Sequence, residues 1–542
     1  MTTWEKHIMP KSEIYLDLSP WTPLKNRIFR FLWMASVISN IGTCMNDVGA
    51  AWLMTSLTNN PLLVALIQAA SSLPICLLAL PAGALADILD RRRSLIVLQT
   101  LLMIVAATLT TITFLKLITP NLLLLLTFCL GIGGALSTPA WQATVPELVP
   151  PNALAGAINL NSAGMNISRA IGPALAGIII TAGGTVAVFA INAVSFLGII
   201  ITLFHWKRKR KESTLPAERL FGAIRTGVRY VYATPVLHNM IILSFTFIFF
   251  ASSIWALLPL IARDELHYGA TGYGTLFALL GTGAVIGAIY LPRMSANFSN
   301  DQLIKMGYFA FAVSCCMLAL LKTFYFAGIA MLLSGLGWII TLATLMTTAQ
   351  QAVPSWVKGR ALSIYFMAVF SGMAIGSTAW GMLTRHSSIP TALLVAASGL
   401  LAGIALSRLF TVIIEEIDHT PYRKIPTPVG TEVPRATQGP VMVTIEYTID
   451  PEQEPHFIRI MRDIRRMRLR EGAFFWKLFK DIENITHYTE CFMSESWIDH
   501  LRYHERISVS DNKLLERAKA FQVGKKNPRA SHLVACDLSK KR

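Results

Sequence analysis

The chain has 542 residues, of which 53% are hydrophobic and only 15% charged, and its formal net charge is +17. A soluble protein carries charge at about one residue in four, so this composition excludes a wholly soluble protein and indicates a membrane protein with a soluble appendage. The basic residues cluster beside apolar segments, as membrane topology requires, which sets nucleic-acid binding aside.

In chain order, residues 1–30 are polar and mixed in charge, without the apolar core of a cleaved signal peptide, and read as a cytoplasmic N-terminal segment. A helix that crosses ~30 Å of hydrocarbon needs about 20 mostly apolar residues. Twelve stretches qualify: 31–55, 61–86, 94–116, 121–146, 153–182 and 185–206, then 236–262, 271–292, 301–322, 325–350, 360–384 and 390–412. They define an N-terminal six-helix half (31–206), a basic loop (207–235) and a C-terminal six-helix half (236–412).

Lys25, Arg27, Arg30, Arg91 to Arg93, KRKRK at 207–211, Arg293, Lys358 and Arg360 fall on one side of these spans. The other side offers little beyond Lys116, Arg263, Lys322 and Arg385. The rich side is expected to be cytoplasmic, with both termini there. The halves resemble each other. VPELVPPNAL (145–154) and VPSWVKGRAL (353–362) share Val-Pro, a second Val and Ala-Leu, and Gly164 aligns with Gly372 at the same offset. Parallel halves with a site near the midplane describe one large transporter fold.

An ionisable side chain deep in a bilayer is costly and usually faces a cavity or a partner. Asp47 and Arg169 each lie about 16 residues into their helices, about 24 Å along the axis. Equal depth lets them pair, which offsets part of the burial cost. Asp47 is then a proton-coupling group, taking up a proton when the pair opens, or half of a static ion pair, or half of a pair hydrated at the outer membrane surface. Asn40, Gln68, Trp141, Gln142, Asn161 and Asn166 are candidates for the substrate cavity. An apolar pocket with few polar anchors suits an amphiphilic organic solute, although each amide equally suits an interhelical hydrogen bond.

Seven scattered cysteines make no CxxC pair, so neither a disulfide framework nor a zinc site is expected. Beyond a polar, Pro-rich linker (413–440), residues 441–542 read as a cytoplasmic domain. VMVTIEYTI alternates as a strand, and a helix follows with Phe457, Ile460, Met461, Ile464 and Met467 on one face. AFFWKLFKD and HYTECFMSES give two strands, Trp497 opens a second helix, and SHLVAC closes the sheet. The order βαββαβ is ferredoxin-like. His500 and His504 share a helix face, but no acidic third ligand stands at a comparable fixed spacing, so no metal, cofactor or catalytic residue is expected.

Four stretches carry a resemblance: LPICLLALPAGALADILDRRR (73–93), NISRAIGPALAG (166–177), VPSWVKGRALS (353–363) and HLRYHERISVSDN (500–512). Through them the chain resembles the major facilitator superfamily, and within it the bacterial enterobactin-exporter-like proteins, also described as transmembrane secretion effectors. The resemblance implies an all-α membrane protein of twelve transmembrane helices in two six-helix pseudo-repeats, here followed by the ferredoxin-like domain.

Gly83, Asp87, Arg91 and Arg92 match the superfamily's loop motif, while Ile88 and Asp90 depart from it. In the family the aspartate holds the two halves together against the start of the eleventh helix, and Arg91 would bridge to Glu147. Gly164, Gly172, Pro173 and Gly177 resemble the glycine-rich motif on the fifth helix of drug/proton antiporters. The tail resembles the antibiotic-biosynthesis-monooxygenase type of small barrel, which dimerises through its sheet.

The implied function is secondary active export of a small organic solute, such as a siderophore, drug or metabolite, with proton antiport across a bacterial inner membrane. Its partners are the solute, protons and lipid, with no nucleic acid. The other readings are a membrane-tethered enzyme or sensor in which the tail is the active part, and an importer, which the direction of flux distinguishes.

Overall fold

The computed structural model describes residues 21–206, 220–354, 356–410, 422, 434–435, 438–524 and 528–536. Residues 1–20, the KRKRK run and most of the 413–440 linker lie outside these. The first helices are α1 (Arg27–Leu57), α2 (Pro61–Ile88), α3 (Arg91–Phe114), α4 (Pro120–Leu148) and α5 (Leu154–His205). There follow α6 (Leu220–Ala233), α7 (Pro235–Leu260), α8 (Ala270–Asn297), α9 (Asn300–Leu320), α10 (Phe324–Gln351), α11 (Lys358–His386) and α12 (Ile389–Leu406).

Their starts are written locally. Asn60 and Thr119 accept from the first-turn N–H groups of α2 and α4, and each is followed by a proline, which has no N–H to leave unpaired. The Ser299 side chain and Gln302 form a reciprocal cap on α9.

Among the described residues, eleven helices are long and apolar enough to cross a membrane, not twelve separate ones. The expected fifth and sixth spans are joined in the 52-residue α5. At ~1.5 Å per residue that is about 78 Å, far more than one ~30 Å crossing. The break falls at Gly184, where φ is 72°, a left-handed value that glycine adopts without a steric penalty. The expected loop 207–235 also contains α6, whose amphipathic pattern is too short for a crossing.

The chain divides into two compact units. The first holds most of the membrane helices: residues 1–216, 244–344 and 366–409. Within it, α5 packs along α1. Ser168 Oγ donates to the Val37 carbonyl, and a methyl group at Gly172 would lie 3.2 Å from the Ile41 carbonyl oxygen. The same arrangement recurs between α11 and α7. A methyl group at Gly372 would lie 3.1 Å from the Phe245 carbonyl oxygen, and Trp380 Nε1 donates to the Phe249 carbonyl at 2.7 Å. Val37 and Phe245, like Ile41 and Phe249, stand at the offset that relates the two Val-Pro segments.

The second unit joins residues 217–243 and 345–365 to the C-terminal region from residue 410. Its elements are β1 (Val441–Thr448), α13 (Glu454–Arg470), β2 (Phe475–Lys480), β3 (His487–Ser494), α14 (Trp497–Arg506), α15 (Val509–Lys519) and β4 (Arg529–Val534). The single helix expected from Trp497 is therefore two. They part at Ile507 and Ser508, and Ser508 with Asp511 forms a capping box that starts α15.

All strand pairs are antiparallel, in the order β2-β3-β1-β4. One core joins Tyr447, Ile449 and Tyr488 of the sheet side to Phe457, Met461, Ile464 and Met467 of α13. Beside it lies a buried ion pair: Arg468 Nε donates to Glu490 Oε1 at 2.8 Å. Tyr447 Oη and Trp476 Nε1 also donate to Glu490, and Arg468 donates to Tyr503 Oη. A buried pair of charges is tolerable when its hydrogen-bonding groups are met in this way.

In this same unit the α+β elements lie against α6 and the α10–α11 connection. Glu495 accepts ion pairs from Arg225 (2.9 Å) and Arg229 (3.3 Å). The Arg506 guanidinium sits 4.0 Å over the Trp356 ring, and Tyr230 meets Trp356 edge-on.

Candidate functional site

Two clusters in the first unit lie at opposite ends of α1. At its starting end, Asn26 accepts from the Ile28 and Phe29 N–H groups and donates through Nδ2 to the Leu148 carbonyl at the end of α4. Arg91 opens α3 beside the same end of α4. Its Nη1 lies 2.7 Å from Glu147 Oε1 and 2.9 Å from the Ala143 carbonyl oxygen.

Arg92 does something different. Its Nε and Nη2 donate to the Leu203 and Phe204 carbonyls. These belong to the last turn of α5, where helical carbonyls lack intrahelical partners and the dipole is negative. Gly83 and Asp87 fall within α2, but the Asp87 side chain lies outside the described residues.

At the far end of α1, Trp52 stacks on Tyr273 of α8 with ring centroids 6.0 Å apart. Arg263 donates to the Thr55 carbonyl from a π-helical turn, Ile261–Glu265, which follows α7. A methyl group at Gly381 of α11 would lie 2.5 Å from Ala65 Cβ near the start of α2. These contacts tie the first six expected spans to the last six at the end opposite Arg91. The sequence reading did not single out Arg263, Tyr273 or this role of Trp52. The charged run Arg263-Asp264-Glu265, closing an apolar helix on the side poor in basic residues, is the available signal.

The small-residue motif of α5 serves two neighbours. Gly164, Ser168 and Gly172 face α1, as successive i,i+4 positions do. Gly177 and Pro173 face α8: a methyl group at Gly177 would lie 2.9 Å from the Ala270 carbonyl oxygen, and one at Gly274 would lie 2.6 Å from the Pro173 carbonyl oxygen.

This geometry corrects the expected Asp47–Arg169 pair. Among the described residues no ion pair joins them, and both side chains are exposed. Ser168 and Gly172 are turned toward α1, and Arg169 lies about 100° around the helix from the first and about 60° from the second. Its own carbonyl oxygen faces Gly281 of α8 instead.

Of the cavity candidates, Trp141 and Asn161 meet: Trp141 Nε1 donates to Asn161 Oδ1 at 3.2 Å. They line a small, mostly apolar pocket with Phe29, Leu32, Trp33 and Thr144. Asn40 and Gln68 are half-buried, and Gln68 Nε2 donates to Ser72 Oγ. Gln142 and Asn166 are exposed. In the second unit His500 and His504 come together on α14, and His532 of β4 joins them, a neighbour that linear spacing does not reveal.

A mostly helical bundle with eleven membrane-capable helices and contacts repeated between two halves is the architecture of a multi-pass membrane protein, and the family match makes it a transporter of the major facilitator type. The chain belongs to the transmembrane secretion effector family, which it matches over residues 18–540.

It is 23% identical to the staphyloferrin A transporter of Staphylococcus aureus, over 62% of this chain and 85% of that protein. It is 22% identical to macrolide efflux protein A of Streptococcus pyogenes, over 55% and 78% of the two chains. The multidrug efflux pump Tap of Mycolicibacterium fortuitum is 20% identical, over 66% and 88%.

The fold is similar to that of a bacterial homologue of the human lysosomal transporter Spinster in an inward-facing, occupied conformation. That match has a TM-score of 0.58 and 13% identity, and it covers 72% of this chain and 97% of the other. An inward-facing bacterial homologue of ferroportin matches with a TM-score of 0.54 and 16% identity, over 71% and 98% of the two chains.

Proposed function

We propose that this chain exports a small organic solute across a bacterial inner membrane by alternating access, driven by proton antiport. The observation that carries the reading is the pair of clusters at opposite ends of α1. A transporter of this kind needs two seals that open in turn around a site near the midplane. Arg91 and Glu147, with Asp87, form the cytoplasmic seal in this reading. Trp52, Tyr273 and Arg263 form the outer one. In this reading α5 crosses twice, turning at Gly184, and the chain has twelve crossings with both termini in the cytoplasm.

Export rather than uptake is supported by the efflux proteins among the relatives and by the close α5–α8 approach at Gly177 and Gly274, which leaves the helices free to rock. The Trp141–Asn161 pocket lies at the Arg91 end of α1 and has room for about one water molecule, so in this reading the solute site lies nearer the midplane. Asp47, exposed within α1, is the proton carrier and acts without Arg169 as its fixed partner. The antiparallel order β2-β3-β1-β4 supports a ferredoxin-like C-terminal domain, and its contacts with Trp356 and α6 support a regulatory role.

The test is accumulation of candidate siderophores and drugs in cells with and without the protein, in the presence and absence of a proton uncoupler. Export that the uncoupler abolishes, and that Asp47→Asn reduces at least tenfold at equal protein level, is the expected result. Full uncoupler-sensitive export by Asp47→Asn removes Asp47 from the mechanism. Export indifferent to the uncoupler removes proton coupling.

A further inference from the structure

We propose that His500, His504 and His532 form a binding site for one divalent first-row transition metal ion in the C-terminal domain. The three come from two elements packed face to face. His500 and His504 stand at i and i+4 on α14, so both project from one helical face. His532 sits on the edge strand β4, opposite Val443 of β1, whose side chain belongs to the core beneath α14. One ligand atom from each of the three imidazoles lies within 4.8 Å of the other two.

The spacing is that of a hydrogen bond and also lies close to that of two ligands on one ion. His500 Nε2 and His504 Nε2 are 3.1 Å apart. Two imidazole nitrogens bound to one tetrahedral ion at ~2.0–2.1 Å stand about 3.3–3.4 Å apart. A few tenths of an ångström therefore separate the present arrangement from a coordinating one.

His500 is fully buried, and the Nδ1 atoms of His500 and His504 are buried with no hydrogen-bond partner. A single Nε2–H···Nε2 bond leaves the accepting ring with its N–H on Nδ1, buried and without an acceptor. An ion held by both Nε2 atoms takes their two lone pairs in place of this bond, with the N–H of each ring on Nδ1. Burial, reinforced by the neighbouring histidines and Arg468, also keeps His500 and His504 in the neutral form that a metal requires.

Imidazole ligands suit zinc, copper, nickel and iron, and do not suit magnesium or calcium. Three protein ligands leave a fourth position for water or an anion.

The experiment uses the full chain without a histidine tag, stripped with a chelator and held in detergent. It is titrated with cobalt(II), whose visible absorption reports tetrahedral coordination, and then with zinc(II). The expected result is one cobalt per chain, displaced by zinc, with affinity at least tenfold weaker in His504→Gln and His532→Gln and unchanged in His487→Gln. Absence of stoichiometric binding by the wild type overturns the proposal. So does wild-type affinity in His504→Gln and His532→Gln chains whose circular dichroism is native. X-ray absorption of the zinc-loaded wild type gives a reading that does not depend on any variant's folding. Three imidazole ligands are expected, and fewer than three overturn the site.

Discussion

Arg91 and Glu147 have side chains that are each 25% exposed, so water screens their attraction. A pair of this kind contributes about 0.2–1 kcal/mol, too little to hold the fold but enough to bias two conformations that differ by as little. Arg91→Ala and Glu147→Gln are each expected to lower export two- to fivefold at unchanged abundance. The charge-swapped double variant Arg91→Glu/Glu147→Arg should recover much of the loss. Equal loss in the double and single variants, read by transport in cells, counts against a seal built on this pair.

Asp90 shows why the motif was only partly legible. It stands where the superfamily pattern has glycine, yet its carboxylate accepts from the Arg93 N–H and caps α3. A cap can be read from the residue type. The move of Arg92 to the end of α5 depends on packing from about a hundred positions away and leaves no local trace.

The histidines carry a pH dependence with a definite sign. Burial first, then the neighbouring charges, pushes His500 down to about 3 and His504 down to about 4, from 6.5. Below 6.5 the unfolded chain binds more protons than the folded one, so their contribution to stability is complete above that pH and is lost as pH falls toward 4 and then 3. Hydrogen exchange in α14 of the metal-free chain, corrected for its intrinsic pH dependence, should show protection falling between pH 6.5 and 4. Constant protection across that window contradicts the burial of these rings.

At the scale of elements, α5 is the piece on which the bundle turns. It touches α1 through Gly164 and Gly172 and α8 through Gly177. Replacing Gly177 by leucine puts a branched side chain where a methyl group already meets the Ala270 carbonyl at 2.9 Å. The helices must separate, and a loss of export of at least tenfold is expected, with protein still inserted in the membrane. Near-normal export by Gly177→Leu, checked by flux at matched abundance, shows that the close approach is dispensable.

The span pattern made most helices readable, because about 20 apolar residues per crossing is a composition signal. The boundary between the fifth and sixth spans was readable too: the gap expected between residues 182 and 185 is where the helix breaks, at Gly184 with its left-handed φ of 72°. In the tail, alternation and periodicity carried β1 and α13. The Ser508 cap that divides α14 from α15 was overlooked, though Ser-x-x-Asp at 508–511 is visible in the chain.

For the whole molecule, the two halves repeat a contact as well as a sequence pattern. Val37 and Ile41 of α1 meet α5 as Phe245 and Phe249 of α7 meet α11. The Val-Pro segments hinted at this repeat. The cluster of Trp52, Tyr273 and Arg263 was not foreseen, because these residues are far apart in the chain and none belongs to a recognisable motif. Residues that meet across the bundle are chosen by shape and position, so composition says little about them.

Alternating access makes one demand that fixed geometry cannot meet: the two ends must open in opposition. Spin labels at Thr58 and Tyr268 report the outer end of the bundle, and labels at Leu89 and Phe298 report the other, each pair in a chain freed of its native cysteines. Pulsed electron resonance distances, taken for the wild type and for Asp47→Asn across a range of pH, test this directly. Two populations are expected, with the outer pair short when the inner pair is long, and with their balance moved by pH in the wild type and fixed in Asp47→Asn. A single unchanging distance at both ends, or two ends that open together, contradicts alternating access.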